Sequence, residues 1–179
     1  KRKTLIYEID RREDGITYCV CRTRDTAEYR QYRENLRGDG RKAAPDPAAG
    51  LHLVKPLGFC IDDKSLKRAG LDYWPFVKLE VHESLEAFMQ EYGRGDRRLF
   101  LATTKGGQIY TEPRYQDEDM FLFGKETAGL PRDFIAAHAE TAIRIPMSED
   151  TRLRSFNLAN SANIILFEAL RQLGFPGLK

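Results

Sequence analysis

Apolar and polar residues follow a strand-like pattern in several short segments of the chain. Residues 16–21 and 76–81 alternate between apolar and polar positions, as half-buried strands do. Residues 51–54, 98–103 and 120–123 are almost continuously apolar, which is typical of strands that are covered on both faces. Two further short apolar segments, residues 5–7 and 141–145, also predict strands.

Helices are predicted between these strands. Ser84 is a good N-cap for a helix over residues 85–92, which Gly93 ends, and Pro131 favours a helix that begins directly after it. A longer helix is predicted over residues 155–173, with one apolar stripe formed by Leu158, Ala162, Ile165, Ala169 and Leu173. Strands that alternate with helices predict an α/β fold with a mostly parallel sheet.

Length and charge change this picture little. The 179 residues suit a single domain over residues 1–179, and no apolar run is long enough to span a membrane. Residues 1–50 carry 12 basic and 9 acidic side chains, against 17 and 18 in the remainder, so a polyanion would be attracted mainly to the first segment. Residues 9–50 match no regular pattern and form an atypical N-terminal segment.

Cysteine and histidine usage argues against disulfides and metals. Three cysteines are too few for a disulfide framework, which favours a reducing cytoplasm. His52, His82 and His138 are far apart in the sequence and near no cysteine pair, so we expect no metal site.

Unusual residues follow three of the predicted strands, where ligands collect in open α/β sheets. Gly124 would let a ligand approach the backbone closely, and Glu126 offers a carboxylate beside it. Ser155 and Asn157 lie near the start of the last helix and could hold a ligand. These residues are equally typical of turn glycines, an N-cap and a helix surface, and the pattern alone leaves both interpretations open.

The amino-acid sequences of these segments resemble the SpoU branch of the SPOUT RNA methyltransferases. Residues 123–131 read FGKETAGLP, residues 143–147 read IRIPM and residues 154–160 read RSFNLAN. Residues 51–74 and 167–178 are most similar to the TrmL-type enzymes, which methylate the ribose 2′-hydroxyl of the wobble nucleotide in certain leucine tRNAs. The resemblance extends almost continuously from Leu51 to Leu178.

The resemblance implies a fold, a cofactor and partners. It implies a C-terminal deep trefoil knot, a homodimer, the anticodon stem-loop of a tRNA as substrate and S-adenosyl-L-methionine as cofactor. The residues that it implies for cofactor binding are Ala102, Gly124, Ile145, Met147, Ser155 and Leu158. Glu126, Ser155 and Asn157 match functional positions of the family. No metal is needed, because the sulfonium already carries a good leaving group.

The N-terminal motif departs from the family pattern. The family places an Asn and, six residues later, an Arg proposed as the base soon after the first strand. Here the nearest match is Asn35 with Arg41, in a segment otherwise unlike the family. Because a guanidinium hardly ever loses its proton, such an arginine would act chiefly by electrostatics and positioning. Arg154, beside Ser155, is the rival candidate.

Two hypotheses remain open for function. The first is a tRNA ribose 2′-O-methyltransferase, and the second is a catalytically impaired knotted protein that binds RNA or a partner. In either, Phe156, Ile164, Phe167 and Leu170 cannot all join the apolar stripe of the last helix, so part of this surface needs a partner. The resemblance implies that this partner is a second copy of the chain.

Overall fold

The computed structural model describes residues 18–23, 49–57, 79–95, 97–125, 128–148 and 156–175. Within these residues the elements are, in chain order, β1 (Tyr18–Thr23), β2 (Ala49–Val54), β3 (Leu79–His82), α1 (Leu85–Tyr92), β4 (Leu99–Ala102), β5 (Gln108–Ile109), β6 (Met120–Phe123), α2 (Arg132–Ala137), a 3₁₀ helix (Ala139–Thr141), β7 (Ala142–Arg144) and α3 (Leu158–Gln172).

The strands form one sheet in the order β3-β2-β1-β6-β4-β7-β5. β2 is parallel to β3, β4 is parallel to both β6 and β7, and β5 is parallel to β7. β1 lies between the two parallel groups and is antiparallel to β2 and to β6. The prediction of an α/β fold with a mostly parallel sheet is therefore confirmed for the described residues. The strand predicted at residues 16–21 corresponds to β1, whereas residues 5–7 lie outside the described residues.

Both faces of the central strands are buried, which explains their continuous apolar sequence. In β6, Phe121 and Phe123 belong to one core cluster, and Met120 and Leu122 belong to another. The first cluster includes buried residues of α3, and the second includes Phe88 of α1. Successive strand residues point to opposite faces, so a strand covered by helices on both sides needs apolar residues throughout.

The ends of α1 are those that the sequence predicts. Ser84 Oγ accepts a hydrogen bond from the Ala87 N–H at 3.1 Å, and the Gly93 N–H donates to the Met89 carbonyl oxygen at 2.9 Å. The short β5 and the 3₁₀ helix were not predicted, because elements of two or three residues carry no periodic pattern.

The apolar stripe of α3 is confirmed, but the helix begins later than predicted. It begins at Leu158 rather than at residue 155. Ala162, Ile165 and Ala169 are buried, and so is Leu170, one of the four apolar residues that were not all expected to face the core. Phe167 is 56% exposed. In the part of the chain that the structure describes, the helices lack the length and apolar character of a membrane span.

Candidate cofactor site

A cavity of about 270 Å³ opens at the carboxyl ends of β4, β6 and β7, beside the start of α3. Five residues that the sequence suggested for cofactor binding line it together: Ala102, Gly124, Ile145, Met147 and Leu158. The sixth, Ser155, lies outside the described residues. Segments far apart in the chain therefore meet at one edge of the sheet, where open α/β folds bind ligands.

The cavity has an apolar interior and a more polar mouth. Ile143 and Ile165 are essentially fully buried in its lining. Threonine and serine hydroxyls and two ammonium groups also line it, contributed by Thr103, Thr104, Ser161, Lys105 and Lys125. An apolar interior with a few polar groups is the usual lining of a small-molecule site. The apolar side chains bury the ligand, and the polar groups fix its orientation.

The loop after β4 is held against β7 by its backbone. The Thr103 N–H donates to the Ile143 carbonyl oxygen at 3.0 Å. Arg144 Nη1 donates to the carbonyl oxygens of Gly106 and Gly107 at 2.9 and 2.8 Å. A Cβ at Gly106 would lie 2.4 Å from the Ile143 carbonyl carbon, so this approach requires glycine. This role of Arg144 could not be predicted, because nothing in the IRIPM motif shows which carbonyl groups the side chain contacts.

Gly124 is needed for close packing of the protein backbone. A Cβ there would lie 2.3 Å from the Gly129 carbonyl carbon and 2.4 Å from the Leu130 nitrogen. The Gly129 N–H donates to the Lys125 carbonyl oxygen at 2.7 Å, and Gly129 has a φ of 67°. The space above Gly124 is thus filled by the returning loop. Of the two interpretations left open for Gly124, the turn glycine is observed, and Gly124 also lines the cavity. Its contact with a ligand stays a prediction.

Asn157 caps α3. Its Oδ1 accepts a hydrogen bond from the Asn160 N–H at 3.1 Å, and Ser161 Oγ donates to the Asn157 carbonyl oxygen at 3.1 Å. The structural interpretation assigned the N-cap to Ser155 and a helix-surface position to Asn157, whereas the observed cap of α3 is Asn157. Its neighbours Phe156 and Leu158 line the cavity, so the cap fixes where the helix enters the site.

An ion pair joins β4 and β6 at their amino ends, opposite the cavity. Arg98 Nε and Nη2 donate to the two carboxylate oxygens of Asp119 at 2.8 and 2.6 Å, and Asp119 is 2% exposed. Arg98 precedes β4 and Asp119 precedes β6. A bidentate pair of this kind is geometrically specific. It sets the relative position of the two strands whose opposite ends carry Ala102 and, just beyond, Gly124.

The remaining predicted site residues lie outside the described residues. They are Asn35, Arg41, Glu126 and Ser155, together with the rival candidate Arg154. Their roles stay predictions.

The strands that form this site lie in a region of the chain that matches a known protein family. The model of the SpoU rRNA Methylase family matches residues 31–167, which include β4, β6, β7 and the first part of α3. The chain belongs to this family. The sequence-based prediction of a SpoU-type protein is confirmed.

Individual relatives of this SpoU-family chain are similar over most of their length. An Escherichia coli (strain K12) protein named tRNA (cytidine(34)-2′-O)-methyltransferase is 46% identical over 128 residues, which are 71% of this chain and 79% of the relative. A solved structure from Bacillus anthracis has a TM-score of 0.66 and 44% identity, covering 72% of this chain and 80% of its own. A structure described as giving insights into the 2-OH methylation of C/U34 on tRNA has a TM-score of 0.61 and 41% identity, covering 69% and 78%.

Proposed function

We propose that this SpoU-family chain transfers a methyl group from S-adenosyl-L-methionine to the ribose 2′-hydroxyl of the wobble nucleotide of a tRNA. One observation carries the proposal. Residues of separate motifs line one cavity at the carboxyl edge of the sheet, in a chain 46% identical to a relative named for methylation of tRNA cytidine 34.

The cavity suits an adenosine-containing cofactor. Its volume of about 270 Å³ is close to the lower end of small-molecule pockets, which span roughly 300–1,000 Å³. Ile143 and Ile165 offer an apolar interior for a planar base. Lys105 and Lys125 offer positive charge for a carboxylate at the mouth. When bound, S-adenosyl-L-methionine supplies an electrophilic methyl group on its sulfonium.

The chain's own residues would hold and orient this group. We assign the backbone at Ala102, Gly124 and Ile145 to the adenosine edge, and the side chains of Met147 and Leu158 to its apolar surface. We include the C-terminal deep trefoil knot that the family resemblance implies.

The reaction also needs a group that handles the proton of a weakly acidic hydroxyl. We assign Arg41, with Asn35, to the position beside the ribose hydroxyl, and we assign Glu126 and Ser155 to the cofactor side. Asn157 Oδ1 already caps α3, so a ligand contact from this side chain would come from its amide nitrogen. The proposal further includes a homodimer, binding of the anticodon stem-loop, and, because the substrate is tRNA, action in the cytoplasm.

Paired arginine variants test the catalytic assignment. Arg41→Ala should leave cofactor affinity nearly unchanged in calorimetry and slow methyl transfer to tRNA by about 10²–10⁴-fold, the usual effect of losing a positioned proton-transfer group. Arg154→Ala tests the rival candidate, and Arg94→Ala, which changes an exposed arginine outside the cavity lining, is the matched control. If Arg41→Ala is as active as the unmodified protein, the assignment of residues 35–41 fails.

A second candidate function is a catalytically impaired knotted protein that binds RNA. The departure of residues 9–50 from the family motif favours it. It would replace the first proposal if the protein bound cofactor and tRNA yet transferred no methyl group from labelled cofactor into bulk tRNA.

A further inference from the structure

Three metal-binding side chains share one face of the β2–β3 pair. In the parallel register His52 lies opposite Glu80, and His82 follows Glu80 by two residues. Side chains two residues apart in a strand point to the same face, and paired residues on neighbouring strands do so too. The fold therefore brings together two histidines that are 30 positions apart in the sequence.

The donor atoms of these side chains converge. His52 Nδ1 lies 3.1 Å from His82 Nε2 and 3.6 Å from the Glu80 Oε2 atom. All three donor atoms lie within 4.8 Å of one another. Ligands bound about 2.1 Å from a common zinc ion stand roughly 3–4 Å apart, so an ion between these atoms requires only small side-chain rotations.

The surroundings are those of a shielded site with one open side. His52 is 1% exposed and His82 is 7% exposed, whereas the Glu80 side chain is 47% exposed. The rings of Phe88 and Tyr92 on α1 stand edge-on to both imidazoles, with centroids 4.8–5.8 Å apart. The neighbouring rings thus restrain the two histidines, and Glu80 forms the exposed side of the cluster.

Two further contacts would support the ligands. Glu91 Oε2 lies 3.8 Å from His82 Nδ1, the ring nitrogen that does not contact His52. This distance is longer than a hydrogen bond but would become one after a small side-chain rotation. The Tyr92 hydroxyl donates to Glu80 Oε2. A carboxylate behind a ligating histidine fixes its tautomer and orientation, and such outer contacts are typical of metal sites.

We propose that His52, Glu80 and His82 bind a divalent transition-metal ion of the zinc class. The ligand atoms would be His52 Nδ1, His82 Nε2 and a carboxylate oxygen of Glu80, with water completing the coordination. Two imidazoles and a carboxylate are a known zinc ligand set. These three residues do not line the cofactor cavity, so the ion would tie β2 to the edge strand β3 beneath α1 rather than take part in methyl transfer. The sequence-based expectation of no metal site would then be wrong.

Zinc titration of the full chain tests this proposal. Protein treated with chelator and dialysed should bind about one equivalent of ZnCl₂ in calorimetry and should unfold at a higher temperature when zinc is present. Glu80→Gln and His82→Gln should each weaken zinc binding at least 10-fold and remove most of the thermal shift. Glu91→Gln should weaken it about 10-fold or more, as loss of an outer carboxylate does.

Matched controls exclude non-specific binding. Glu83→Gln changes an exposed carboxylate that pairs with Lys55, and His138→Gln removes a histidine that is not one of the three proposed ligands. Both variants should bind zinc like the unmodified protein. The proposal is overturned if the unmodified chain binds no zinc, which would leave a hydrogen-bonded histidine pair, or if binding survives in both Glu80→Gln and His82→Gln while circular dichroism shows them folded.

Discussion

At the scale of single residues, Gly124 shows how a motif residue serves the fold and the site together. The backbone of Gly129 and Leu130 occupies the space that a Cβ at this position would need. Any side chain at position 124 must therefore push the loop away from β6. Because residues of this loop line the cavity, the displacement reaches the candidate cofactor site.

We therefore expect Gly124→Ala to affect both stability and binding. The variant should lose about 2 kcal/mol or more of unfolding free energy, a typical cost of steric overlap with backbone, and should bind S-adenosylmethionine at least 10-fold more weakly. Calorimetry and urea unfolding measure the two effects. Gly107→Ala is the matched control, because a Cβ at Gly107 would meet nothing within 4 Å. Equal affinity in the two variants would contradict the account.

Two variants of Asn157 test whether its side chain stabilises the start of α3. Asn157→Ala should lower the free energy of unfolding by about 1 kcal/mol, since the hydrogen bond to the Asn160 N–H is lost. Asn157→Asp keeps an oxygen acceptor and should retain stability. Denaturant unfolding of both variants checks this prediction. A similar loss of stability in both would show that the cap is not what Asn157 contributes.

For single residues, the sequence predicted which positions lie at the site better than it predicted what each side chain does there. The motif spacing selected Gly124 and Asn157, but packing against Gly129 and capping of α3 became visible only with the chain folded. The pairing of His52 with His82 could not be predicted either. It depends on the register of β2 and β3, which no local pattern in a single sequence specifies.

At the scale of elements, apolar runs and caps predicted most of the described fold. The continuous apolar sequence of β6 and the stripe of α3 each reflect which faces are buried. The antiparallel setting of β1 could not be predicted, because alternation shows that a strand exists but not which neighbours it pairs with.

Tyr115 links the end of α3 to the core and makes stability depend on alkaline pH. Its N–H donates to Gln172 Oε1 at 2.9 Å, and its hydroxyl donates to the Tyr110 carbonyl oxygen. Burial, followed by the charges of Glu168 and Asp119, raises the pKa of the Tyr115 phenol above its usual value of 10.0. The folded state thus keeps a proton that the unfolded chain releases.

The raised pKa of Tyr115 makes the free energy of unfolding fall at alkaline pH. The stabilisation from the neutral phenol is fully present below about pH 10 and is lost as the pH rises further, because the unfolded state then binds fewer protons than the folded state. Tyr115→Phe should therefore reduce the decline in unfolding free energy between about pH 9.5 and pH 11. Tyr110→Phe, which keeps the backbone acceptor, is the control. Parallel declines in Tyr115→Phe and the unmodified protein would contradict the prediction.

At the scale of the whole molecule, the described residues leave apolar side chains exposed on α3 and just before it. Phe167 is 56% exposed and Phe156 is 45% exposed, whereas Leu170 is buried in the core. A partner for this surface remains a proposal, and the family resemblance favours a second copy of the chain.

Light scattering of Phe167→Glu tests the homodimer. The unmodified protein should have twice the mass of one chain, and Phe167→Glu should shift it towards the monomer by placing a charge in the interface. Val81→Glu, on the edge strand β3, changes another exposed apolar residue and should leave the dimer intact. A concentration-independent monomer for the unmodified protein would exclude the dimer.

The position of the transferred methyl group tests the central claim most directly. A leucine tRNA transcript is incubated with the full chain and S-adenosylmethionine, digested, and sequenced by mass spectrometry, beside a transcript whose wobble nucleotide has a 2′-deoxyribose. The account predicts one cofactor-dependent methyl group on the wobble ribose of the first transcript and none on that nucleotide of the second. Methylation at another nucleotide or on a base, or none by a protein that binds the cofactor, would contradict it.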